Sequence, residues 1–305
     1  MTLTSQITEF LESSRKENVP ALIVVLGPTA SGKSALSLEL AHLFNGEIIN
    51  ADSRQIYKEM DIGTDKPSAM QQEGVRHHLY DIVAPNEEFT LADYKRLALK
   101  TIDEIHRRGN TPILCGGTGL YISAVIENYQ IPHVPPQPDI RQKYEEYYKQ
   151  NGAEALHSLL KERDPAASEN IHPNNVRYVI RALEINELAG DDKQARRGAP
   201  LFNVFAVGVE RDRDELYDRI NRRVDELISK GLVNEVKTLL MKGYNEKLSS
   251  MSSLGYPEII SYVKGEMSLP EATEQIKKNT RNYAKRQLTW FRRYRDVDYY
   301  HVHSW

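Results

Sequence analysis

Short apolar runs alternate with amphipathic stretches over the first 130 residues of the chain. Three runs, at 21–26, 47–52 and 111–115, are short and largely apolar. Runs of this kind are typical of parallel strands that helices cover on both faces. Between them, 35–44 and 91–107 place apolar residues three and four positions apart, which predicts helices. The alternation of strands and helices predicts an α/β fold built on a parallel sheet.

The pattern changes after residue 130. Residues 131–138 hold four of the fourteen prolines, and we interpret this segment as a stiff linker. A polar, helical segment follows, and an apolar run at 202–209 predicts one more strand of the sheet. We therefore expect a discontinuous core domain of residues 1–130 and 202–305, interrupted by an all-helical insertion domain at 131–201.

Composition narrows the class of protein. The chain has 305 residues, of which 40% are hydrophobic and 27% charged, as in ordinary soluble globular proteins. Cys115 is the only cysteine, so an internal disulfide is excluded. We expect no signal peptide and no membrane span, because the sequence lacks a long apolar run. These features predict a cytoplasmic protein, and nothing in them demands a protein partner or more than a monomer.

The stretch between the first apolar run and the first helix fits the phosphate-binding pattern G-x-x-x-x-G-K-[ST]. Its residues are Gly27, Pro28, Thr29, Ala30, Ser31, Gly32, Lys33 and Ser34. Backbone N–H groups and a helix N-terminus would bind a polyphosphate there. Lys33 would reach the outer phosphates, and the Ser34 hydroxyl would hold Mg²⁺. The motif is typical of ATP-binding and other nucleotide-binding proteins, and it predicts a P-loop NTPase-like three-layer core.

Asp52 ends the second apolar run. Ligands of an open parallel sheet bind beyond the carboxyl ends of its strands, so we expect Asp52 at the same edge as the P-loop. The alternative is that Asp52 caps a following helix. The third run ends in the glycine-rich segment 116–119, where backbone can approach a ligand closely. Because that run lacks a terminal aspartate, the chain departs from the pattern of motor-type ATPases.

Basic residues are concentrated in three places. Arg177 and Arg181 share one predicted helix face, and Arg219 and Arg223 share another. The second pair could reach an anion at the sheet edge or form ion pairs with acidic neighbours. Between 276 and 295 there are eight basic residues and no acidic ones, interleaved with aromatic residues. This last segment fits nucleic-acid binding and, equally, a solvated helix face whose apolar side packs in the core.

Taken together, these motifs resemble those of the bacterial tRNA dimethylallyltransferases. The matching stretches are Gly27–Ser34, Asp52–Tyr57, Met60–Pro67, Gly116–Tyr121, Arg177–Glu184 and Tyr283–Arg292. The hexapeptide at 52–57 with the segment at 60–67 is far more specific than the P-loop. The adenylate isopentenyltransferases share the early motifs, but the long C-terminal part and the inserted helical segment favour the tRNA enzymes.

The resemblance implies transfer of a dimethylallyl group from dimethylallyl diphosphate to N6 of the adenosine immediately 3′ of the tRNA anticodon. It implies Mg²⁺ and the P-loop at the diphosphate, and Asp52, Thr118 and Arg223 as catalytic residues, with Asp52 the base. The implied contacts to the anticodon stem-loop are Asp52, Ser53, Arg54, Gln55, Thr118, Arg141, Arg177, Tyr178 and Arg181. Gln55 carries an amide that could pair with an adenine edge.

Two other classes of function stay open on the residues alone. A small-molecule kinase would share the P-loop and a carboxylate after the second strand, and it would transfer the γ-phosphate of ATP. An RNA-binding protein with a nucleotide-gated switch would share the P-loop and the basic segment. That second class leaves Asp52 and the glycine pair at 116–117 unexplained.

Overall fold

The chain separates into two compact units. The computed structural model describes residues 2–131, 134, 137–188, 196–294 and 298–301. The core unit comprises 1–128 with 199–305, and the insertion unit comprises 129–198, where the sequence predicted boundaries at 131 and 201. Much of the predicted linker (132, 133, 135 and 136) and Arg295 of the basic segment lie outside the described residues.

The described residues form short strands and longer helices. The strands are β1 (Ala21–Leu26), β2 (Gly46–Asn50), β3 (His77–His78), β4 (Thr111–Gly116), β5 (Tyr129–Gln130), β6 (Arg196–Arg197), β7 (Asn203–Glu210) and β8 (Asp298–His301). The helices are α1 (Leu3–Glu17), α2 (Lys33–Leu43), α3 (Leu91–Arg107), α4 (Gly119–Ile126), α5 (Pro138–Arg163), α6 (Pro165–Asn170), α7 (Val176–Leu188), α8 (Arg213–Ser229), α9 (Leu232–Met241), α10 (Tyr256–Val263) and α11 (Leu269–Phe291). None of these helices combines the length and the apolar character that crossing a membrane requires.

A six-stranded sheet organises the core unit. Its strand order is β3-β2-β4-β1-β7-β8, and every neighbouring pair is parallel. Val25 of β1 lies opposite Cys115 of β4 on one side and Val207 of β7 on the other. The three apolar runs are therefore adjacent strands, and the predicted parallel α/β sheet is confirmed.

Alternate residues of β1 face opposite helical layers. Leu22 and Val24 pack with α3, α4 and Phe291 of α11. Ile23 and Val25 pack with α1 and α2 on the other face. All five side chains are buried, and each contributes about 1.5–3 kcal/mol relative to exposure. This is the three-layer core that the P-loop context predicted.

The carboxyl ends of β1, β2, β4 and β7 meet at one edge of the sheet, as they must in a parallel sheet. The segments that leave these ends are 27–32, 51–58, 117–118 and 211–212. Helices α8, α9 and α10 form a second buried cluster with Ile56 of the segment after β2. The sheet edge and this cluster together fix the loops of the candidate site.

The insertion unit is built mainly from helices α5, α6 and α7. Tyr144, Leu156, Val179 and Leu183 form its buried core. Gly152 interrupts α5 with φ of 82°, a left-handed conformation that glycine adopts without a steric cost. The prediction of an all-helical insertion omitted the short antiparallel pair of β5 and β6.

The insertion leaves the core unit and returns to it at neighbouring points. Asn128 is the last core residue before the insertion, and Ala199 is the first after it. The Asn128 side-chain Nδ2 donates to the Ala199 carbonyl oxygen at 2.9 Å. A hydrogen bond within the core unit therefore joins the two ends of the inserted segment.

Candidate active site

The P-loop joins β1 to α2 and leaves several polar groups without partners. The N–H groups of Gly32, Lys33 and Ser34 make no hydrogen bond to any described residue. The buried Ser31 hydroxyl has no partner in the described part of the chain either. Buried polar groups in folded proteins are nearly always satisfied, so this arrangement indicates a site for a ligand. Donors at the start of a helix suit an anion.

Two arginines bind the outer side of this loop. Arg211 donates through Nε to the Ser31 carbonyl oxygen at 2.7 Å. Arg219 donates through Nε to the Ala30 carbonyl oxygen at 2.9 Å. Ala30 has φ of 61°, and such a conformation costs an L-residue on the order of 1 kcal/mol. The arginine contacts thus hold the loop in a conformation that it would not prefer alone.

Arg223 reaches the loop from α8. Its Nη1 donates to Thr29 Oγ1 at 2.6 Å, and its Nε lies 3.1 Å from Asp65 Oδ2. Arg219 and Arg223 therefore both contact the P-loop. This position agrees with the alternative in which the pair lies at the sheet edge, within reach of an anion. The ion pair of Arg223 is with Asp65 of a distant loop and not with an acidic neighbour on α8.

Lys33 is half-buried at the start of α2, with Nζ 3.4 Å from the Pro28 carbonyl oxygen. Burial lowers the pKa of the Lys33 ammonium, and the Asp52 and Asp65 carboxylates counteract that shift. Both carboxylates therefore lie close enough to Lys33 for their charges to act on it. The P-loop lysine and the residue predicted as base belong to one electrostatic site.

Asp52 follows β2 and has one carboxylate oxygen available. Its Oδ1 accepts the Arg54 N–H at 2.8 Å, while the Asp52 N–H donates to Asn50 Oδ1 at 2.9 Å. Oδ2 makes no hydrogen bond within the described residues. Every residue from 51 to 90 is described and no helix begins there, so the helix-capping alternative does not apply. The free oxygen can accept a proton from a ligand.

The segment after β4 packs directly on the segment that carries Asp52. A Cβ at Gly116 would lie 2.2 Å from the Ala51 carbonyl oxygen, so only glycine fits there. Thr118 donates its N–H to the same oxygen at 3.0 Å, and its Oγ1 accepts the Ser53 N–H at 2.9 Å. The sequence predicted a close backbone approach to a ligand at these glycines. At Gly116 the close approach is to the segment that carries Asp52, and this contact positions that segment.

Three tyrosine hydroxyls lie close enough to Asp52 for its charge to act on them. Burial raises the pKa values of Tyr80, Tyr121 and Tyr283, and the Asp52 carboxylate adds to each shift. The Tyr283 hydroxyl also forms a hydrogen bond with Thr118. These phenols stay neutral, and the charged groups of the site therefore act in surroundings less polar than water. Charges interact more strongly in such an environment.

The side chains of Arg54 and Gln55 bind protein carbonyls. Arg54 Nη1 donates to the Ser249 carbonyl oxygen at 2.7 Å. Gln55 Nε2 donates to the carbonyl oxygens of Thr64 and Asp65 at 3.0 and 3.1 Å. Gln55 thus holds the loop that supplies Asp65 to Arg223, and its amide nitrogen is already used within the protein.

The remaining residues predicted to contact RNA lie in the insertion unit. Arg141 and Arg181 both bind the buried Glu184, at 3.0 and 2.5 Å. Arg177 is exposed and pairs with no residue of the described part, and Tyr178 is 59% exposed. Of the four, Arg177 and Tyr178 are therefore the two whose side chains face solvent without a carboxylate partner.

The basic segment lies on α11 and just after it. Its apolar side is buried through Phe291, as expected for a helix that packs one side in the core. Lys277 pairs with Asp225, whereas five other basic side chains are exposed: Lys278, Lys285, Arg286, Arg292 and Arg293. An exposed basic face is therefore present on the core unit.

Three residues of this site were not among the predicted ones. Asp65 binds Arg223, Arg211 binds the P-loop, and Gln287 of α11 accepts the Thr29 N–H at 2.9 Å. Arg211 directly follows β7, so its place at a strand end was a usable signal. Gln287 lies within the basic segment, and no sequence pattern distinguished it there.

The chain is similar in sequence and fold to known tRNA-modifying enzymes. The family model described as IPP transferase matches residues 55–294. A tRNA dimethylallyltransferase from Acetivibrio thermocellus is 50% identical over 281 residues, which cover 90% of each chain. The solved tRNA isopentenylpyrophosphate transferase from Bacillus halodurans is 44% identical with a TM-score of 0.70, over 92% of this chain and 90% of that one. A eukaryotic dimethylallyltransferase, solved acting on tRNA, has a TM-score of 0.73 at 28% identity, over 89% of this chain and 69% of its own. The chain therefore belongs to the IPP transferase family.

Proposed function

We propose that this protein transfers a dimethylallyl group from dimethylallyl diphosphate to N6 of the adenosine immediately 3′ of the anticodon of tRNA. The observation that carries the proposal is the placement of the P-loop and Asp52 at one sheet edge, close enough for Asp52 to act on Lys33. The P-loop suits a diphosphate, and the Asp52 carboxylate can accept a proton. The names of the relatives support the same reaction.

The diphosphate is the leaving group in this proposal. The bond between the prenyl C1 and the diphosphate oxygen breaks, and its electron pair stays on the diphosphate. The developing allylic cation is delocalised, so the charge on the departing diphosphate is the greater difficulty. The unpartnered N–H groups at 32–34, the Lys33 ammonium and the Arg223 guanidinium place positive charge there.

The adenine amine is the nucleophile. Its lone pair is delocalised into the ring, so N6 attacks poorly unless it loses a proton as the new C–N bond forms. The free Oδ2 of Asp52 accepts that proton, while the Asp52 backbone is held by Asn50 and Thr118 holds the adjacent residue. General-base assistance of this kind contributes about 10² to 10⁴ in rate.

The P-loop residues fit a magnesium ion. The Ser34 hydroxyl is exposed at the first turn of α2 and has no partner in the described part of the chain. Mg²⁺ in such sites takes one or two protein oxygens and completes its shell with substrate phosphates and water. A full protein cage is therefore not required, in agreement with the lack of any three-residue acidic, histidine or cysteine cluster among the described residues. When bound, the ion would neutralise charge on the diphosphate.

We propose that two surfaces bind the anticodon stem-loop. One is the exposed basic face of α11, and the other is the solvent-facing pair Arg177 and Tyr178 in the insertion unit. Loop bases are commonly recognised by stacking and by base-edge contacts, and phosphates by basic residues. Extruding the target base from its stack costs a few kcal/mol. A cytoplasmic location and a monomeric state remain predictions.

Incubation with unmodified tRNA, dimethylallyl diphosphate and MgCl₂, followed by nucleoside mass spectrometry, tests the proposal. We expect one added five-carbon unit on the adenosine after the anticodon. Prenylation of AMP but not of tRNA would identify an adenylate isopentenyltransferase instead. Isotope transferred from γ-labelled ATP to a small-molecule acceptor would identify a kinase.

A further inference from the structure

One face of α11 packs along the loop that follows β4. Tyr283, Gln287 and Trp290 are spaced by four and three residues, so they project from the same side of the helix. Each contacts a residue of the segment 117–119: Tyr283 through its hydroxyl, Gln287 through its amide, and Trp290 through its ring. The helix that carries the exposed basic face is therefore fitted closely to the candidate active site.

Gln287 makes the central contact of this face. Its side-chain Nε2 donates to the Gly117 carbonyl oxygen at 2.9 Å, and its Oε1 accepts the Thr29 N–H at 2.9 Å. Gln287 is 5% exposed, so both ends of a buried amide are satisfied by backbone. A Cβ at Gly117 would lie 2.3 Å from Nε2, so a larger residue there would displace the amide.

The two backbone groups that Gln287 joins belong to different halves of the site. Thr29 lies in the P-loop and its hydroxyl accepts from Arg223, on the side of the proposed diphosphate. Gly117 precedes Thr118, whose hydroxyl holds the residue after Asp52, on the side of the proposed acceptor. The Gln287 amide thus connects the donor half and the acceptor half of the site through two direct hydrogen bonds.

We propose that Gln287 is a positioning residue, which sets the distance between the diphosphate-binding loop and the segment that presents Asp52. This inference rests on the proposed function. The prenyl C1 and the adenine N6 must come within about 3–3.5 Å, and a misplacement of 1 Å can cost about 10² in rate. Gln287 takes the Thr29 N–H and leaves the N–H groups at 32–34 available, so it acts on the alignment of the substrates more than on donor affinity.

Two substitutions separate alignment from folding. Gln287→Met keeps the length of the side chain and removes both hydrogen bonds. Gln287→Glu keeps the acceptor for the Thr29 N–H and loses, when ionised, the donor to Gly117. The matched control is Thr280→Val, which removes from the same helix a buried hydroxyl that donates to the Ile276 carbonyl oxygen.

We expect kcat per folded Gln287→Met enzyme to fall about 10- to 10²-fold, with the donor KM and the Kd of Mg²⁺–inorganic diphosphate changed less than about threefold. Gln287→Glu should fall between this variant and the native protein. Thr280→Val should lower the melting temperature and leave kcat per folded enzyme within about twofold. A native-like kcat in Gln287→Met, a loss confined to donor KM, or an equal kcat loss in Thr280→Val would overturn the inference.

Hydrogen exchange tests the bridge without relying on catalysis. The Thr29 amide should exchange faster in Gln287→Met than in the native protein or in Thr280→Val, because it loses its buried acceptor. An unchanged Thr29 exchange rate would refute the bridge whatever the reaction. If the native protein prenylates neither tRNA nor AMP, the proposed function fails, and the exchange experiment still decides whether Gln287 joins the two loops.

Discussion

Arginines in the two units have different kinds of partner. In the core unit, Arg219 donates to a carbonyl oxygen of the P-loop, and Arg223 donates to a P-loop hydroxyl while also pairing with Asp65. In the insertion unit, Arg141 and Arg181 bind the carboxylate of Glu184, which is fully buried. The same type of side chain therefore lines a candidate ligand site in one unit and joins helices α5 and α7 in the other.

The difference lies in how much positive charge remains after folding. A carbonyl oxygen accepts a hydrogen bond without cancelling the charge of the arginine, whereas a carboxylate cancels it. Burial alone would raise the pKa of Glu184, but hydrogen bonds from Arg141, the Gln137 N–H and Arg181 outweigh that effect and lower it. Glu184 therefore stays ionised and neutralises its two arginines, whereas Arg219 keeps its charge at the P-loop because it binds a carbonyl oxygen. Arg223 is intermediate, since it contacts the P-loop hydroxyl and Asp65 together.

The largest expected effect comes from Asp52, whose carboxylate has a free oxygen, in contrast to the fully bound carboxylate of Glu184. Asp52→Asn should lower turnover of prenyl transfer by about 10² to 10⁴, because the amide cannot accept the adenine proton. The melting temperature should not change, since asparagine can still accept the Arg54 N–H. Single-turnover assays, with calorimetry of inorganic diphosphate binding, provide the measurement. Unchanged turnover would remove Asp52 from the role of base.

A smaller effect is expected when the P-loop loses one of its charges. Arg223→Ala should lower kcat/KM for the donor by about 10- to 10²-fold, since a hydrogen bond to a charged group contributes about 1.5–3 kcal/mol. Arg222→Ala is the matched control, because Arg222 is exposed on the same helix. Equal losses in the two variants would mean that the general charge of α8, and not the P-loop contact, is responsible.

Removing the carboxylate of the insertion should affect stability instead of chemistry. Glu184→Ala should lower the free energy of unfolding by about 1–3 kcal/mol, because it leaves the Gln137 N–H without its acceptor and two arginines without their counter-ion. The surface variant Glu169→Ala is the control. Circular dichroism, which follows helices α5 to α7, provides the measurement. A large drop in kcat with unchanged stability would contradict this role.

The smallest expected effect separates the arginines within the insertion unit. Arg177→Ala should weaken tRNA binding a few-fold and reduce the slope of log K against log salt by about 0.7–0.9, as for one lost phosphate contact. Arg181→Ala should leave that slope unchanged and lower the melting temperature, because its charge is already paired with Glu184. Filter binding at several salt concentrations distinguishes them, and an identical slope change in both variants would abolish the contrast.

Local features of the site were predictable, and contacts between distant segments were not. The P-loop is encoded in one stretch of strand, loop and helix, and the apolar runs specified the parallel sheet. Asp65 and Gln287 reach the P-loop from loops and helices far along the chain, so only tertiary packing determines their partners. For Glu184 a signal existed, because it lies four residues after the buried Ile180 on the apolar face of α7. A carboxylate on such a face requires cationic neighbours.

The hydrogen bond between Asn128 and Ala199 has a consequence for chain connectivity. For the core sheet, the whole insertion is one long loop whose two ends are joined by this hydrogen bond. The entropic cost of closing such a loop grows only with the logarithm of its length. Residues could be gained, lost or exchanged inside it without altering the register of β1, β4 and β7. The insertion unit, in which we propose RNA contacts, can therefore vary while the proposed active-site edge of the sheet keeps its geometry.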